Sequence, residues 1–345
     1  MSSTPPADHE ERRAPELLEC LRDAAAFYRN QVERSWVPDY LNRRNLYAQL
    51  VPAGLGYAPD GWDATSRHLL RVGHSADSIE AAGMARRTPR GLVDVFRDRL
   101  MVPLTDPDGA LVGFTGRAAP GADPNVPKYL NSPATKVFAK RDLLYGLAED
   151  AEALRHGAMP VIVEGPMDRL ALTQAAGGRA IVGLTPCGTA FGPRQAAALL
   201  AVVGARRPIA VALDADDAGR AATRHCWEVL ADAGAQHLRH IQLPAGKDPA
   251  DLVRSGRPNV LRHAITQNRP LVLVVADQTI ASAGVAADDW QSALLVARQL
   301  FRENLHRIPA AQVGTYVAHV AQRLRLEPEL ATVAATEAVS WGSGS

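Results

Sequence analysis

The chain has 345 residues, 47% of them hydrophobic and 22% charged, a balance that suits two or three folded domains and excludes wholesale disorder. Lysine and arginine number 38 against 37 acids, so any contact with nucleic acid must come from a local patch and not from bulk charge. Three scattered cysteines, Cys20, Cys187 and Cys226, exclude a disulfide framework and a four-thiolate zinc site; the longest aliphatic run, Leu271–Ala276, is far short of the roughly 20 residues a membrane span needs, so no membrane partner is expected and the chain reads as cytoplasmic.

Residues 1–12 are polar with two prolines and read as a disordered leader. From Pro15, the residues Leu17, Leu18, Leu21, Ala24, Ala25 and Tyr28 recur at helical spacing, and further helical text surrounds Tyr40–Leu50 and Ala76–Gly83. Two short apolar runs, Arg99–Leu104 and Ala110–Phe114, flank Asp106-Pro107-Asp108-Gly109, which predicts a β-hairpin. A helix is expected over Leu143–Arg155. The texture then changes to strand, turn and helix units, with strands predicted at Pro160–Glu164, Arg179–Leu184, Pro208–Leu213 and Leu238–Leu243 and alanine-rich helices such as Pro193–Val203 and Ala218–Leu230. Apolar strands alternating with helices imply an α/β fold with a parallel sheet covered on both faces, where ligands bind at the carboxyl ends of the strands. Three helices close the chain, Trp290–Asn304, Ala310–Leu324 and Glu327–Val339, followed by a flexible tail, 340–345. The division that follows is a basic α+β unit over 13–142, the parallel-sheet domain over 143–260 and a helical unit over 261–339.

The acids just after the strands carry the chemistry. Glu164 ends the first strand, and Asp168 falls in the first turn of a helix that Pro166 can start. Asp214 ends the third strand, Asp216 follows, and Asp248 stands in the loop Pro244–Pro249 after the last. Taken singly, each has a plain alternative: Asp168 suits a helix dipole without any catalytic role, and Asp217 reads as an exposed loop or cap acid. Their joint placement on one sheet edge points further. Clustered carboxylates repel unless a cation neutralises them, and oxygen donors without histidine or thiolate favour Mg²⁺ or Mn²⁺ over zinc. That is the equipment of phosphoryl transfer.

Glu164-Gly165-Pro166-Met167-Asp168 followed by Asp214-Ala215-Asp216-Asp217-Ala218-Gly219-Arg220 resembles the TOPRIM domain, a metal-binding fold shared by bacterial DnaG-type primases, type IA and II topoisomerases and some nucleases. The segments Phe96–Pro103, Gly113–Arg117, Pro127-Lys128-Tyr129-Leu130-Asn131-Ser132-Pro133, Phe138-Ala139-Lys140 and Leu144-Tyr145-Gly146 look like the basic N-terminal half of the DnaG-type primase catalytic core, in the same order. The closing helices, with Ile308-Pro309 and Arg323–Leu326, are similar to that core's helical tail. The resemblance implies Glu164, Asp168, Asp214 and Asp216 as catalytic residues and Glu164, Asp214, Asp216 and Asp248 as metal ligands. It also implies that Arg97, Arg99, Arg117, Lys128, Tyr129, Asn131 and Lys140 face nucleic acid or nucleotide. The residues themselves agree: between 110 and 141 five basic side chains stand against one acid, a local +4 able to track a phosphate backbone or a triphosphate, with Tyr129 available to stack a base. The alternative is an ordinary solvated surface with Tyr129 in the core.

Three departures from the family pattern stand out. Pro166 replaces a usual aromatic and Arg169 a usual aliphatic residue, which together are expected to set the first helix slightly differently, and Ala250 stands where a second acid is usual in the last loop. The cysteine count leaves no ligands for the family's zinc-binding module, so the reading is a catalytic core on its own, without zinc and without a helicase-binding domain. The expected activity is primer synthesis from nucleoside triphosphates on single-stranded DNA, with a helicase or a zinc-module protein as a partner in trans. A TOPRIM metal-dependent nuclease and a non-catalytic single-strand-binding adaptor are the rivals.

Overall fold

A computed structural model of the chain describes residues 14–342, apart from 178, 179, 215 and 287. The expected leader and residues 343–345 of the expected tail lie outside the described residues.

The first unit opens with α1 (Pro15–Gln31), whose stripe of Leu17, Cys20, Leu21, Ala24, Ala25 and Tyr28 is buried as the helical spacing predicts. There follow α2 (Val37–Arg43), β1 (Gly56–Ala58), α3 (Ala64–Arg71) and α4 (Ala76–Ala81), then a two-stranded hairpin of β2 (Ala85–Thr88) and β3 (Gly91–Asp94). Strands β4 (Arg99–Thr105), β5 (Leu111–Ala118) and β6 (Tyr129–Asn131) join β1 in an antiparallel sheet of order β1-β4-β5-β6. The β4–β5 turn forms where the sequence places it: the Asp106 carboxylate accepts the N–H groups of Asp108 at 3.0 Å and Ala110 at 2.9 Å, and Gly109 takes a left-handed φ of +83°. Period-two alternation splits β4 between two cores. Met101 packs with Phe114 beneath α1, whereas Leu100, Val102 and Leu104 enter a core shared with the parallel sheet.

The expected helix over 143–155 is reduced to α5 (Ala151–Arg155), because the residues before it are used for contacts. Tyr145 pairs with Thr185 in extended backbone, and Gly146 lies so close to the sheet that a Cβ there would sit 2.4 Å from the Gly183 carbonyl oxygen. The parallel region comprises β7 (Met159–Ile162), α6 (Pro166–Ala175), β8 (Ile181–Leu184), α7 (Pro193–Val203), β9 (Pro208–Val211), α8 (Asp217–Asp232), β10 (His237–His240), α9 (Pro249–Arg254), α10 (Pro258–Thr266) and the short β11 (Arg269–Pro270). The strand order is β11-β10-β9-β7-β8, parallel except for β11. Alternate residues supply its two faces: Val161, Ala210 and Ala212 pack with Leu170 and Leu252, whereas Ile162, Ile209 and Val211 pack with Leu199, Trp227 and Leu271. Helices α11 (Leu271–Ala283), α12 (Trp290–Asn304), α13 (Ala310–Leu324) and α14 (Pro328–Gly342) continue that second core through Leu300, Phe301 and Tyr316. The last helix runs to Gly342, into the stretch read as a flexible tail. All three cysteines are free and buried, and among the described residues no helix is long and apolar enough to cross a membrane.

Arg169, the departure in the first turns of α6, is buried; its Nη2 pairs with Asp150 at 2.6 Å and its guanidinium lies 4.3 Å from the Tyr145 ring centre. A side chain foreign to the pattern thus anchors α6 to the loop before α5. Strands β7, β9 and β10 end at Ile162, Val211 and His240, earlier than the sequence suggested, so the acids stand in loops just beyond the sheet edge.

Candidate functional site

Three loops at the carboxyl edge of the parallel sheet carry the five acids, and hydrogen bonds fasten them to one another. Glu164 is exposed, and its Oε1 accepts the Asp214 N–H at 3.3 Å, joining the first loop to the second. Asp168 lies in the first turn of α6, buried, and its Oδ1 accepts the Ala250 N–H at 3.3 Å, joining the first loop to the third. Asp216 and Asp248 are the N-caps of α8 and α9, accepting the N–H groups of Gly219 and Asp251, so each carboxylate is oriented by a helix start. Asp217, beside the first of these caps, is the exposed first residue of α8. Gly219 allows this helix to approach: a Cβ there would lie 2.0 Å from the Asp214 carbonyl oxygen.

The acids share one electrostatic field. Burial, then Asp248, with Asp214 and Glu164 adding, pushes Asp168 up to about 7 against the Ala250 hydrogen bond. Burial, then Glu164, Asp248 and Asp216, pushes Asp214 up to about 6, while Lys128 pulls the other way. Among the described residues no group of three or more Asp, Glu, His or Cys is arranged to hold a metal ion. A donor set of carboxylates alone, two of them destabilised by their neighbours, fits a divalent cation held by few side chains with water in its remaining positions.

Opposite this edge stands the β5–β6 side of the first unit. Exposed Lys128 precedes β6 within the field of Asp214. The Tyr129 hydroxyl accepts Arg117 Nη1 at 3.1 Å, and a Cβ added at Gly165 would lie 3.9 Å from it and 3.4 Å from Asp168 Oδ2, so Tyr129 and Asp168 flank the same loop. Asn131 Nδ2 donates to the Cys187 carbonyl at 3.2 Å and Lys140 Nζ to the Gly188 carbonyl at 3.1 Å; both fasten the basic segment to the β8–α7 loop. Arg97 is half-exposed, its guanidinium 4.1 Å from the ring centre of Trp62, itself 67% exposed. Arg99 requires a correction. It is 4% exposed, and its Nη1 donates to the carbonyls of Gly116 and Pro127, both at 2.9 Å, so it braces the sheet where an outward-facing side chain was expected.

Sequence reasoning missed Trp62, Tyr40 and Arg44. Arg44 and Arg117 lie 5.0 and 5.1 Å from the Tyr40 ring centre, and burial, with Asp168 among the lesser causes, raises the Tyr40 hydroxyl above its ordinary value. The signal was available: Tyr40 and Arg44 are an i, i+4 pair, and Trp62 is a lone aromatic between Gly61 and Asp63, outside any apolar period.

Residues 27–151 match the family model of the DNA primase catalytic core, N-terminal domain, and residues 161–253 match a Toprim-like model. The DNA primase of Synechococcus elongatus is 36% identical over 332 residues, which cover 90% of this chain and 45% of that protein. The chain spans about half the length of the curated relatives it matches. A DNA primase domain from Pseudomonas aeruginosa is 30% identical, with a TM-score of 0.74 over 93% of this chain and 99% of that one. The RNA polymerase domain of Mycobacterium tuberculosis primase DnaG, in complex with a double-stranded DNA oligomer with a 6-nucleotide overhang, is 27% identical, with a TM-score of 0.77 over 91% of this chain and 99% of that one. A Toprim domain typically binds a divalent metal, in keeping with the oxygen donors gathered here. Two consecutive family matches, the likeness to solved primase domains and a five-acid edge facing a basic sheet all agree: the chain belongs to the DnaG-type primase catalytic-core family.

Proposed function

We propose that the chain is a primase-type nucleotidyltransferase that joins nucleoside triphosphates into short primers on single-stranded DNA in replication. The observation that carries this reading is the facing of opposite charges: Lys128, with Tyr129 and Arg117 behind it, stands in the field of Asp214 and its four acidic neighbours. Glu164, Asp214, Asp216 and Asp248 would hold Mg²⁺ or Mn²⁺, which neutralises charge on the phosphoryl group being transferred. Glu164, exposed at the edge, is also placed to accept the proton of an attacking 3′-hydroxyl. Asp168, buried and bonded to the third loop, supports the other acids by fixing α6 against α9. Lys128 and Arg117 supply positive charge for the triphosphate, and Asn131 and Lys140 fix the wall of the site through the β8–α7 loop. Arg97 with Trp62 offers an unpaired template base a cation and a flat face. The DNA carried by the M. tuberculosis domain supports a nucleic-acid template. Units 13–142 and 143–260 divide these tasks beside the helical unit 261–339, with a helicase or a zinc-module protein as the cytoplasmic partner in trans.

The test is incubation with single-stranded DNA, labelled nucleotides and Mg²⁺ or Mn²⁺. Short templated products are the expected result. Metal-dependent nicking without added nucleotides would instead make the chain a nuclease, and binding without either reaction would make it an adaptor.

A further inference from the structure

We propose that the β2–β3 hairpin is a further template contact, a cationic track that continues the Trp62–Arg97 shelf and takes phosphates of single-stranded DNA. The inference rests on the primase reading. Its origin is the run Ala85-Arg86-Arg87-Thr88-Pro89-Arg90-Gly91, whose three arginines the fold treats differently.

The register pairs Ala85 with Asp94, Arg86 with Val93 and Arg87 with Leu92. Residues directly opposite in a ladder share a face, and faces alternate along a strand. Ala85, Arg87, Leu92 and Asp94 therefore form the inner face, of which Ala85 and Asp94 are buried. Arg87 on that face is neutralised, bonding Asp77 and Glu80 of α4. Arg86 is on the outer face. Arg90 is at the tip, where its N–H donates to Thr88 Oγ1 and Thr88 Oγ1 donates to the Gly91 carbonyl, so the turn is held in shape. Arg86 and Arg90 are exposed, and among the described residues neither is paired with an acid.

Solvation alone is the ordinary fate of a surface arginine, but two further observations set this hairpin apart. The acids of the same stretch are turned inward. Asp94 accepts the N–H groups of Thr65 at 2.7 Å and Ser66 at 3.0 Å at the start of α3, and Asp98 accepts Trp36 Nε1 at 2.7 Å and the Tyr57 hydroxyl at 2.9 Å. Arg86, Arg90 and Arg97 thus present positive charge outward that neither Asp94 nor Asp98 pairs with. The hairpin is also continuous with the exposed tryptophan: the Asp94 N–H donates to the Trp62 carbonyl at 2.8 Å, and the Asp94 carbonyl accepts Arg97 Nη1 at 3.5 Å. Trp62 and Arg97 hang from the residue that ends β3, and the tip lies about 10 Å further along the strand at ~3.3 Å per residue. A single strand suits this surface better than a duplex, since only an unpaired base can leave its own stack to lie on Trp62 while its neighbouring phosphates run along the arginines.

The experiment measures binding of fluorescent single-stranded oligonucleotides to the full chain across a salt series. Arg86→Ala/Arg90→Ala is compared with Arg155→Ala/Arg302→Ala, which removes the same charge elsewhere on the surface. If each hairpin arginine neutralises one phosphate, the slope of log K against log salt falls by about 1.4, and affinity at 0.1 M salt by roughly 25-fold, while the distant pair changes neither. An unchanged slope in the hairpin variant, an equal loss in the distant pair, or an equal loss for a blunt duplex of the same length would each overturn the proposal. A chain that makes primers but ignores the hairpin substitutions refutes the hairpin alone. One that neither binds single strands nor makes primers refutes both readings.

Discussion

On the acid edge every carboxylate sits at a helix start or just past a strand end, so the backbone decides where it points; on the basic shelf the charges ride on long side chains whose roles depend on what they touch. Asp216 and Asp248 are caps, Asp168 lies in a first helical turn, and Glu164 and Asp214 are joined through a backbone N–H. The seven residues assigned to nucleic acid or nucleotide scatter by comparison. Arg99 braces a sheet, Asn131 and Lys140 tie down a loop, Arg97 lies on Trp62, and Lys128, Tyr129 and Arg117 stand beside the acids. Positions fixed by backbone geometry survive translation from sequence into space. Positions fixed by side-chain reach survive only in part.

If the acid edge serves chemistry and not stability, its charges are expendable to the fold and indispensable to the reaction. Asp214→Asn and Glu164→Gln should each lower primer synthesis by on the order of 10²-fold or more, while thermal melting stays equal or rises slightly because mutual repulsion is removed. Wild-type synthesis rates in both variants would place the reacting centre elsewhere. Gly219→Ala attacks the same edge through its backbone. A methyl group 2.0 Å from the Asp214 carbonyl oxygen must displace the loop, so activity should fall together with about 1–3 kcal/mol of stability, read from denaturant melts. A fully stable, fully active Gly219→Ala chain would show that the α8 start does not set the position of Asp214.

The raised proton affinities give the edge a pH dependence. Asp168 at about 7 and Asp214 at about 6, against an ordinary 3.8, bind protons more tightly in the folded chain than in the unfolded one. The folded state therefore holds the extra protons between about pH 4 and pH 7, and stability contributed by these groups declines as pH rises through that window. A divalent cation opposes the repulsion that remains above it. Added Mg²⁺ should raise the melting temperature more at pH 8 than at pH 5, EDTA should reverse the gain, and Asp214→Asn should reduce it. An equal Mg²⁺ shift at both pH values would separate the ion from these carboxylates.

The sequence made the acids legible because a short apolar strand, a turn and a helix signal bracket each of them, and that grammar is local. It also made the β4–β5 hairpin and the closing helices legible, through turn chemistry and period. What it hid was tertiary. The residues of the expected helix before Ala151 are drawn into a bridge between Tyr145 and Thr185, and no local pattern announces that partner. Arg99 and Arg97 are two residues apart with the same charge, yet one is 4% exposed and the other lies on an exposed tryptophan. Charge alone carries no information about burial.

Arg99 and Lys128 sharpen that last point with the smallest of the expected effects. Arg99→Ala removes a charged donor shared by the carbonyls of Gly116 and Pro127, and the loss should cost about 1–3 kcal/mol of stability. Because the side chain is almost wholly buried, the salt dependence of single-strand binding should stay as in the wild type. Lys128→Ala should behave in the opposite way: an exposed ammonium contributes little to melting, but if it neutralises one phosphate, the salt slope falls by about 0.7. Lys128 also lowers the proton affinity of Asp214, so its removal should push the Asp214 carboxyl further up and move the onset of Mg²⁺ stabilisation to higher pH. The two substitutions thus separate a cation that holds the sheet from one that faces the acids, in a melt, a salt series and a pH series. If Arg99→Ala flattened the salt slope and Lys128→Ala lowered the melt, the division between the braced and the facing cations would be reversed.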